Sequence, residues 1–85
     1  MAILKFSSHA WLDYNHWQKN DLRIKIEIDK LCLSIVETPY EGEGYPQPLA
    51  YDLQNIWCRR INMEHRLIYR IHKGWIEILQ CRLHY

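Results

Sequence analysis

All three prolines of this 85-residue chain, and two of its three glycines, fall in one stretch, Thr38-Pro39-Tyr40-Glu41-Gly42-Glu43-Gly44-Tyr45-Pro46-Gln47-Pro48. Proline has no amide proton to give a helix or a sheet, and glycine is loose in both. No regular element therefore runs through residues 38–48. The chain is cut into two parts that must fold by different local rules. Before the cut the apolar spacing is mostly helical; after it, the spacing alternates.

The first part opens with Ala2-Ile3-Leu4-Lys5-Phe6, which reads as a short strand. Ser7-Ser8 supplies a helix N-cap, because a serine hydroxyl accepts from the free amides of a first turn. From His9 to about Lys19 the steps of three and four predict a helix with Trp11, Tyr14 and Trp17 or Gln18 on one face. Asn20-Asp21 breaks it and caps the next element. Leu22-Arg23-Ile24-Lys25-Ile26-Glu27-Ile28-Asp29 alternates as a strand would. A helix also fits, through Ile24, Ile28, Leu31 and Ile35, with Arg23–Glu27 and Lys25–Asp29 as i,i+4 pairs. The run reaches about Val36 without a turn signal, longer than an ordinary strand, so it is read as a helix.

After the loop, Leu49 to Asn55 leads into a sheet. Ile56 to Asn62, Arg66 to His72 and Trp75 to Arg82 read as three strands joined by turns at Met63-Glu64-His65 and Lys73-Gly74, an antiparallel meander. On the second strand, Arg66, Ile68, Arg70 and His72 share one face, and Leu67, Tyr69 and Ile71 the other. With the first strand added, residues 1–85 make one small α+β domain. Trp11, Trp17 and Trp75 are expected in its core; Trp57 is left open.

The formal charge is only +1, from 11 Lys+Arg against 10 Asp+Glu, too low for a non-specific polyanion binder. Placement matters more than the sum. After Trp57 there are six Lys/Arg and two acids, Glu64 and Glu77. Four of those arginines lie between Trp57 and Arg70, and the chain ends on Cys81-Arg82-Leu83-His84-Tyr85. Cations on strands, with a histidine within reach, suit a phosphodiester. Cys32, Cys58 and Cys81 form no CxxC pair, which argues for a reducing cytoplasm and against a disulfide scaffold. His9 with His16, or Cys81 with His84, falls short of the three or four ligands of a zinc site, so neither metal nor cofactor is expected. Met1 to Phe6 is too short for a signal peptide, and no apolar run is long enough to span a membrane.

Three spaced motifs carry a resemblance: Pro39-Tyr40-Glu41-Gly42-x-Gly44-x-Pro46-x-Pro48-Leu49; Trp57-x-Arg59-Arg60-Ile61-x-x-Glu64-His65-Arg66-Leu67-x-Tyr69; and Cys81-Arg82-x-His84-Tyr85. Together they resemble the YoeB toxins, within the RelE-like toxins of bacterial toxin–antitoxin systems, nearly end to end. The resemblance implies two helices packed on a curved antiparallel sheet, similar to microbial ribonucleases, and so a helix over 21–36. It implies ribosome-dependent mRNA cleavage in the decoding site, a YefM-like antitoxin as partner, and a homodimer. His84 then matches the general acid and Arg66 the arginine at the scissile phosphate. Arg60 is the second basic group there, with Arg59 and Tyr85 as further substrate contacts. Arg59 and His65 also fit a role in supporting the fold or binding ribosomal RNA. The family's glutamate base falls at position 47, where this chain has Gln47, and its lysine at position 50, where it has Ala50. A neutral amide orients a nucleophile but takes no proton near pH 7.

Overall fold

The computed structural model describes residues 2–49 and 55–83. A strand, β1 (Ile3–Phe6), leads into two helices, α1 (Ser8–Asn20) and α2 (Leu22–Glu37). Four strands follow: β2 (Gln47–Pro48), β3 (Ile56–Arg60), β4 (Arg66–His72) and β5 (Trp75–Gln80). They form one sheet in the order β1-β5-β4-β3-β2. The expected meander is present, and β1 joins it, but parallel to β5. The sheet is therefore mixed rather than wholly antiparallel. The parallel pairing follows from the two-helix connection that carries the chain from β1 back to the sheet.

Both helices start where the capping residues put them. The Ser7 hydroxyl accepts from the Ala10 amide at 3.0 Å and donates to the Leu79 carbonyl at 3.0 Å, so one side chain caps α1 and ties it to β5. Asp21 accepts from the Arg23 amide at 3.1 Å, while its own amide donates to Trp17. The alternating segment 22–29 is helical. Ile28, Leu31, Cys32 and Ile35 are buried on one α2 face, and Ile26, the isoleucine out of phase with them, is 56% exposed. Of the two expected pairs only Lys25–Asp29 forms, at 2.8 Å. Arg23 faces Asp21, and Glu27 pairs with Lys30.

On α1 the buried residues are Ala10, Asp13 and Trp17. The expected aromatic face is off by one step: Trp11 is 51% exposed, and Trp75 is half-buried on β5. Of the three tryptophans assigned to the core, only Trp17 is there. The core joins the helices to Leu67, Tyr69, Ile76 and Ile78 on the inner face of the sheet. A smaller apolar cluster, Ile56, Cys58 and Ile68, lies on the outer face.

Arg59 corrects a second expectation. It is fully buried on the inner face, so it is not a substrate contact. Nε donates to the Tyr69 hydroxyl at 3.1 Å; Nη1 donates to Ser34 Oγ at 2.7 Å and the Glu43 carbonyl at 3.0 Å; Nη2 donates to the carbonyls of Thr38 at 2.7 Å and Glu41 at 2.9 Å. All five guanidinium donors are used, none on a carboxylate. The Tyr69 hydroxyl in turn donates to the Pro39 carbonyl at 2.7 Å. The Pro/Gly loop is thus wrapped around one cation. Two glycines make the wrap possible. A Cβ on Gly42 (φ +116°) would meet Ser34 Oγ at 2.5 Å, and one on Gly44 (φ +84°) would meet Leu31 Cδ2 at 2.7 Å.

Removing the guanidinium leaves buried acceptors without donors, each costing on the order of 1–3 kcal/mol. Arg59→Met is expected to destabilise the chain by about 3 kcal/mol or more, and Arg59→Lys, with three donors in place of five, by less. Urea unfolding checks this. A midpoint unchanged in Arg59→Met would mean that the loop is held by something else.

Candidate active site

The outer face of the sheet is fixed by register. Gln47 pairs with Cys58 across β2–β3, and Cys58 with Ile68 across β3–β4. One step along, Arg60 pairs with Arg66, and at the other end of β3, Ile56 pairs with Arg70. Because side chains alternate, Gln47, Cys58, Arg60, Arg66 and Arg70 all rise from one face, opposite the helices. The face predicted for β4 is the face observed.

Arg60 and Arg66 are directly opposed cations, an arrangement that costs stability unless an anion sits between or beside them. Neither forms an ion pair with a described residue. Arg60 lies 5.4 Å over the Tyr45 ring, which sets its direction. Arg66 Nη1 is buried and has no hydrogen-bond acceptor among the described residues. A buried guanidinium nitrogen without an acceptor is costly, and an incoming oxyanion removes that cost. Burial pushes the Cys58 thiol up, while Arg66, Arg60 and a hydrogen bond from Gln47 pull it down. Burial is the larger influence and the net direction is up, so the two arginines only partly offset it. Burial pushes Cys32, away from this face, up to about 12.

The loop reaches this face through backbone bonds. The Arg60 amide donates to the Gly44 carbonyl at 2.7 Å, and the Leu49 amide to Ile56 at 2.9 Å, which places Gln47 between them against Cys58. Gln47 is exposed.

The C-terminal segment is brought to the same place. The Trp17 indole donates to the Cys81 carbonyl at 2.9 Å, and the Cys81 amide donates to Asp13 Oδ2 at 3.1 Å. The Leu83 carbonyl then accepts from the Arg66 amide at 3.0 Å, and the Leu83 amide donates to His65 Nδ1 at 2.7 Å. Leu83 sits at φ +65°, a left-handed conformation that a leucine holds only under restraint. His65 supplies it. Its ring is buried edge-on to Trp17 at 4.7 Å, and the acceptor role of Nδ1 puts its proton on Nε2. His65 was read as support for the fold or a ribosomal-RNA contact; its burial gives it the first.

His84, Tyr85 and Ala50 lie outside the described residues. What is described is the residue before His84, bonded to the backbone of Arg66. Among the described residues no cluster of three or more His, Cys, Asp or Glu is placed to hold a metal. Asp13 and Asn62 were not singled out from sequence. Asn62 Oδ1 accepts from the amides of Glu64 and His65 and shapes the β3–β4 turn. An asparagine at the start of a short turn is the signal that was there to be read.

His65→Phe keeps an aromatic ring against Trp17 but removes the acceptor for Leu83. Amide hydrogen exchange is expected to show Leu83 losing most of its protection while Ile78 in the core keeps its own. Equal protection at Leu83 would show that His65 does not hold the tail.

The chain matches known proteins along almost its whole length. The sequence model of the family described as the YoeB-like toxin of bacterial type II toxin-antitoxin system matches residues 6–85. The toxin YoeB of Escherichia coli K12 is 43% identical over 82 residues, covering 96% of this chain and 98% of that protein. The YoeB dimer from Staphylococcus aureus has a TM-score of 0.91 at 38% identity, covering 99% of this chain and 98% of its own. A YoeB–YefM complex from Staphylococcus aureus has a TM-score of 0.87 at 36% identity, covering 100% of this chain and 99% of its own. With the helices, the mixed sheet and the arginine-bearing outer face in place, the chain belongs to the YoeB-like toxins of bacterial type II toxin–antitoxin systems.

Proposed function

We propose that this chain is the toxin of such a system and acts as a metal-independent endoribonuclease on mRNA in the ribosomal decoding site. One observation carries the reading: Arg66 Nη1, buried and without a described acceptor, faces Arg60 across the strand pair. The pair suits a phosphate whose charge increases as the transition state forms.

In the proposed step the substrate 2′-oxygen attacks phosphorus and the bond to the 5′-oxygen breaks. Arg66 and Arg60 hold the phosphorane oxygens. The departing 5′-oxygen takes its proton from His84, whose imidazole type titrates near neutral pH. Tyr85 stacks on a base. The products are a 2′,3′-cyclic phosphate and a 5′-hydroxyl end. Gln47 orients the 2′-hydroxyl, and the proton leaves to water. General-base assistance is worth about 10²–10⁴-fold, so the unaltered chain works that much below one carrying a carboxylate at position 47.

The Staphylococcus aureus neighbours suggest the company it keeps: a second copy of itself and a YefM-like antitoxin that silences it. The ribosome is the remaining partner. No described helix is long and apolar enough to cross a membrane, which fits action on ribosomes in the cytoplasm. The second reading, a toxin-fold module that binds antitoxin or ribosome without cutting, is favoured by Gln47 and Ala50 alone.

Expression without antitoxin separates the two. Growth arrest with mRNA cut near start codons, mapped by primer extension, is expected. Arg66→Ala should lower cleavage on purified ribosomes by about 10²–10³-fold, and Gln47→Glu should raise it by up to about 10⁴-fold. No arrest, with antitoxin binding intact, would leave the non-cleaving module.

A further inference from the structure

The outer face of the sheet carries a second feature, at the far end of β4 from Arg66. His72 and Trp75 are cross-strand partners whose rings lie parallel, 6° apart in tilt and 3.9 Å between centroids. Glu77 Oε1 holds His72 Nε2 at 3.0 Å, which fixes the imidazole in the stack. Lys5 on β1 places its ammonium 5.2 Å from the Trp75 ring. Arg70 stands beside this group on β4, exposed, with Glu77 as its cross-strand neighbour. Neither Lys5 nor Arg70 forms an ion pair with a described residue.

Stacked aromatic rings flanked by unpaired cations are the chemistry that holds single-stranded nucleic acid: rings for bases, cations for phosphates. The single acid of the group, Glu77, is hydrogen-bonded to His72 and stands between Lys5 and Arg70 in register, so two cations face one carboxylate and the balance is positive. The ledge is continuous with the arginine wall, because Arg66, Arg70 and His72 lie on one face of one strand. Six residues at about 3.3 Å each put His72 roughly 20 Å from Arg66. A stacked strand rising about 3.4 Å per nucleotide crosses that span in about six nucleotides, and a stretched one in fewer.

We infer that His72, Trp75, Lys5 and Arg70 form a second RNA subsite, which binds single-stranded mRNA a few nucleotides away from the scissile phosphate. The inference rests on the outer face being the RNA face, as proposed above, but not on the chain cutting RNA. The subsite adds affinity and direction to the strand. It does no chemistry.

Fluorescein-labelled oligouridylates of three and nine nucleotides test it, by anisotropy at one fixed salt concentration. The nonamer is expected to bind the unaltered chain at least tenfold more tightly than the trimer. Trp75→Ala and His72→Ala should each remove most of that gain, leave trimer binding unchanged and keep thermal unfolding near that of the unaltered chain. Trp75→Phe, which keeps a ring, should restore most of the gain and serves as the folding control. A nonamer that gains nothing over the trimer, or a gain that survives Trp75→Ala, overturns the subsite. So does loss of YefM-type antitoxin binding in these variants with RNA binding unchanged, since the ledge would then be a protein contact. Ribosome-dependent cleavage by the unaltered chain is measured alongside. Its absence would sink the nuclease reading and leave the length effect to be judged separately.

Discussion

Arg59 is a positive charge placed in the interior with no negative partner, and much of the site is arranged around making that tolerable. Taking a guanidinium out of water is expensive, and an isolated one would not stay there. Five neutral acceptors replace the lost water, three of them carbonyls of the Pro/Gly loop. The loop therefore has little freedom. Its closure around Arg59 brings the Gly44 carbonyl to the Arg60 amide, and Gln47 into register with Cys58. A carboxylate partner would have cancelled the charge. Carbonyl dipoles satisfy the hydrogen bonds and leave the charge in place, so its field adds to that of Arg60 and Arg66 on the other side of the strand.

The same economy appears at the C-terminus. Asp13, His65 and Trp17 are buried polar or aromatic groups with one bond each to the segment 81–83. None of them faces the outer surface. They bring the chain to the backbone of Arg66 and hold Leu83 in a conformation it would not choose alone. The segment 81–83 is thus tied by three side chains, two from α1 and one from the β3–β4 turn, and by the Arg66 amide.

Much of this was legible in the sequence, for identifiable reasons. The β4 faces followed from alternation, and the α1 and α2 starts from Ser7 and Asp21. The prolines marked the loop, but its last two residues, Gln47–Pro48, pair with β3 as a short edge strand, where a proline without an amide proton is tolerated. The helix over 22–37 was less secure, because its first eight residues alternate; length and the spacing of the buried set decided it. Arg59 was given two roles, a substrate contact and support of the fold, and alternation could have chosen between them. Neighbours on a strand face opposite sides, so with Arg60 on the outer face Arg59 turns inward, where it is buried. Trp11 was placed in the core because it is large and apolar, whereas the inward face of α1 is set by Ala10, Asp13 and Trp17. A buried aspartate there accepts from the Cys81 amide, 68 residues away, and lies 3.5 Å from His9 Nε2 one turn back. The parallel β1–β5 pairing is equally non-local, and no local pattern announces it.

These constraints meet in one claim: the sheet face opposite the helices is the surface that takes RNA. The most direct measurement is a structure of the chain on a ribosome whose mRNA carries a 2′-O-methyl group at the cleavage position, which blocks the attack. The scissile phosphate is expected within hydrogen-bond distance of Arg66 Nη1 and close to Arg60, with the Gln47 amide on the 2′-oxygen. A scissile phosphate bound against the helices, or an Arg66 Nη1 directed away from it, would contradict the account.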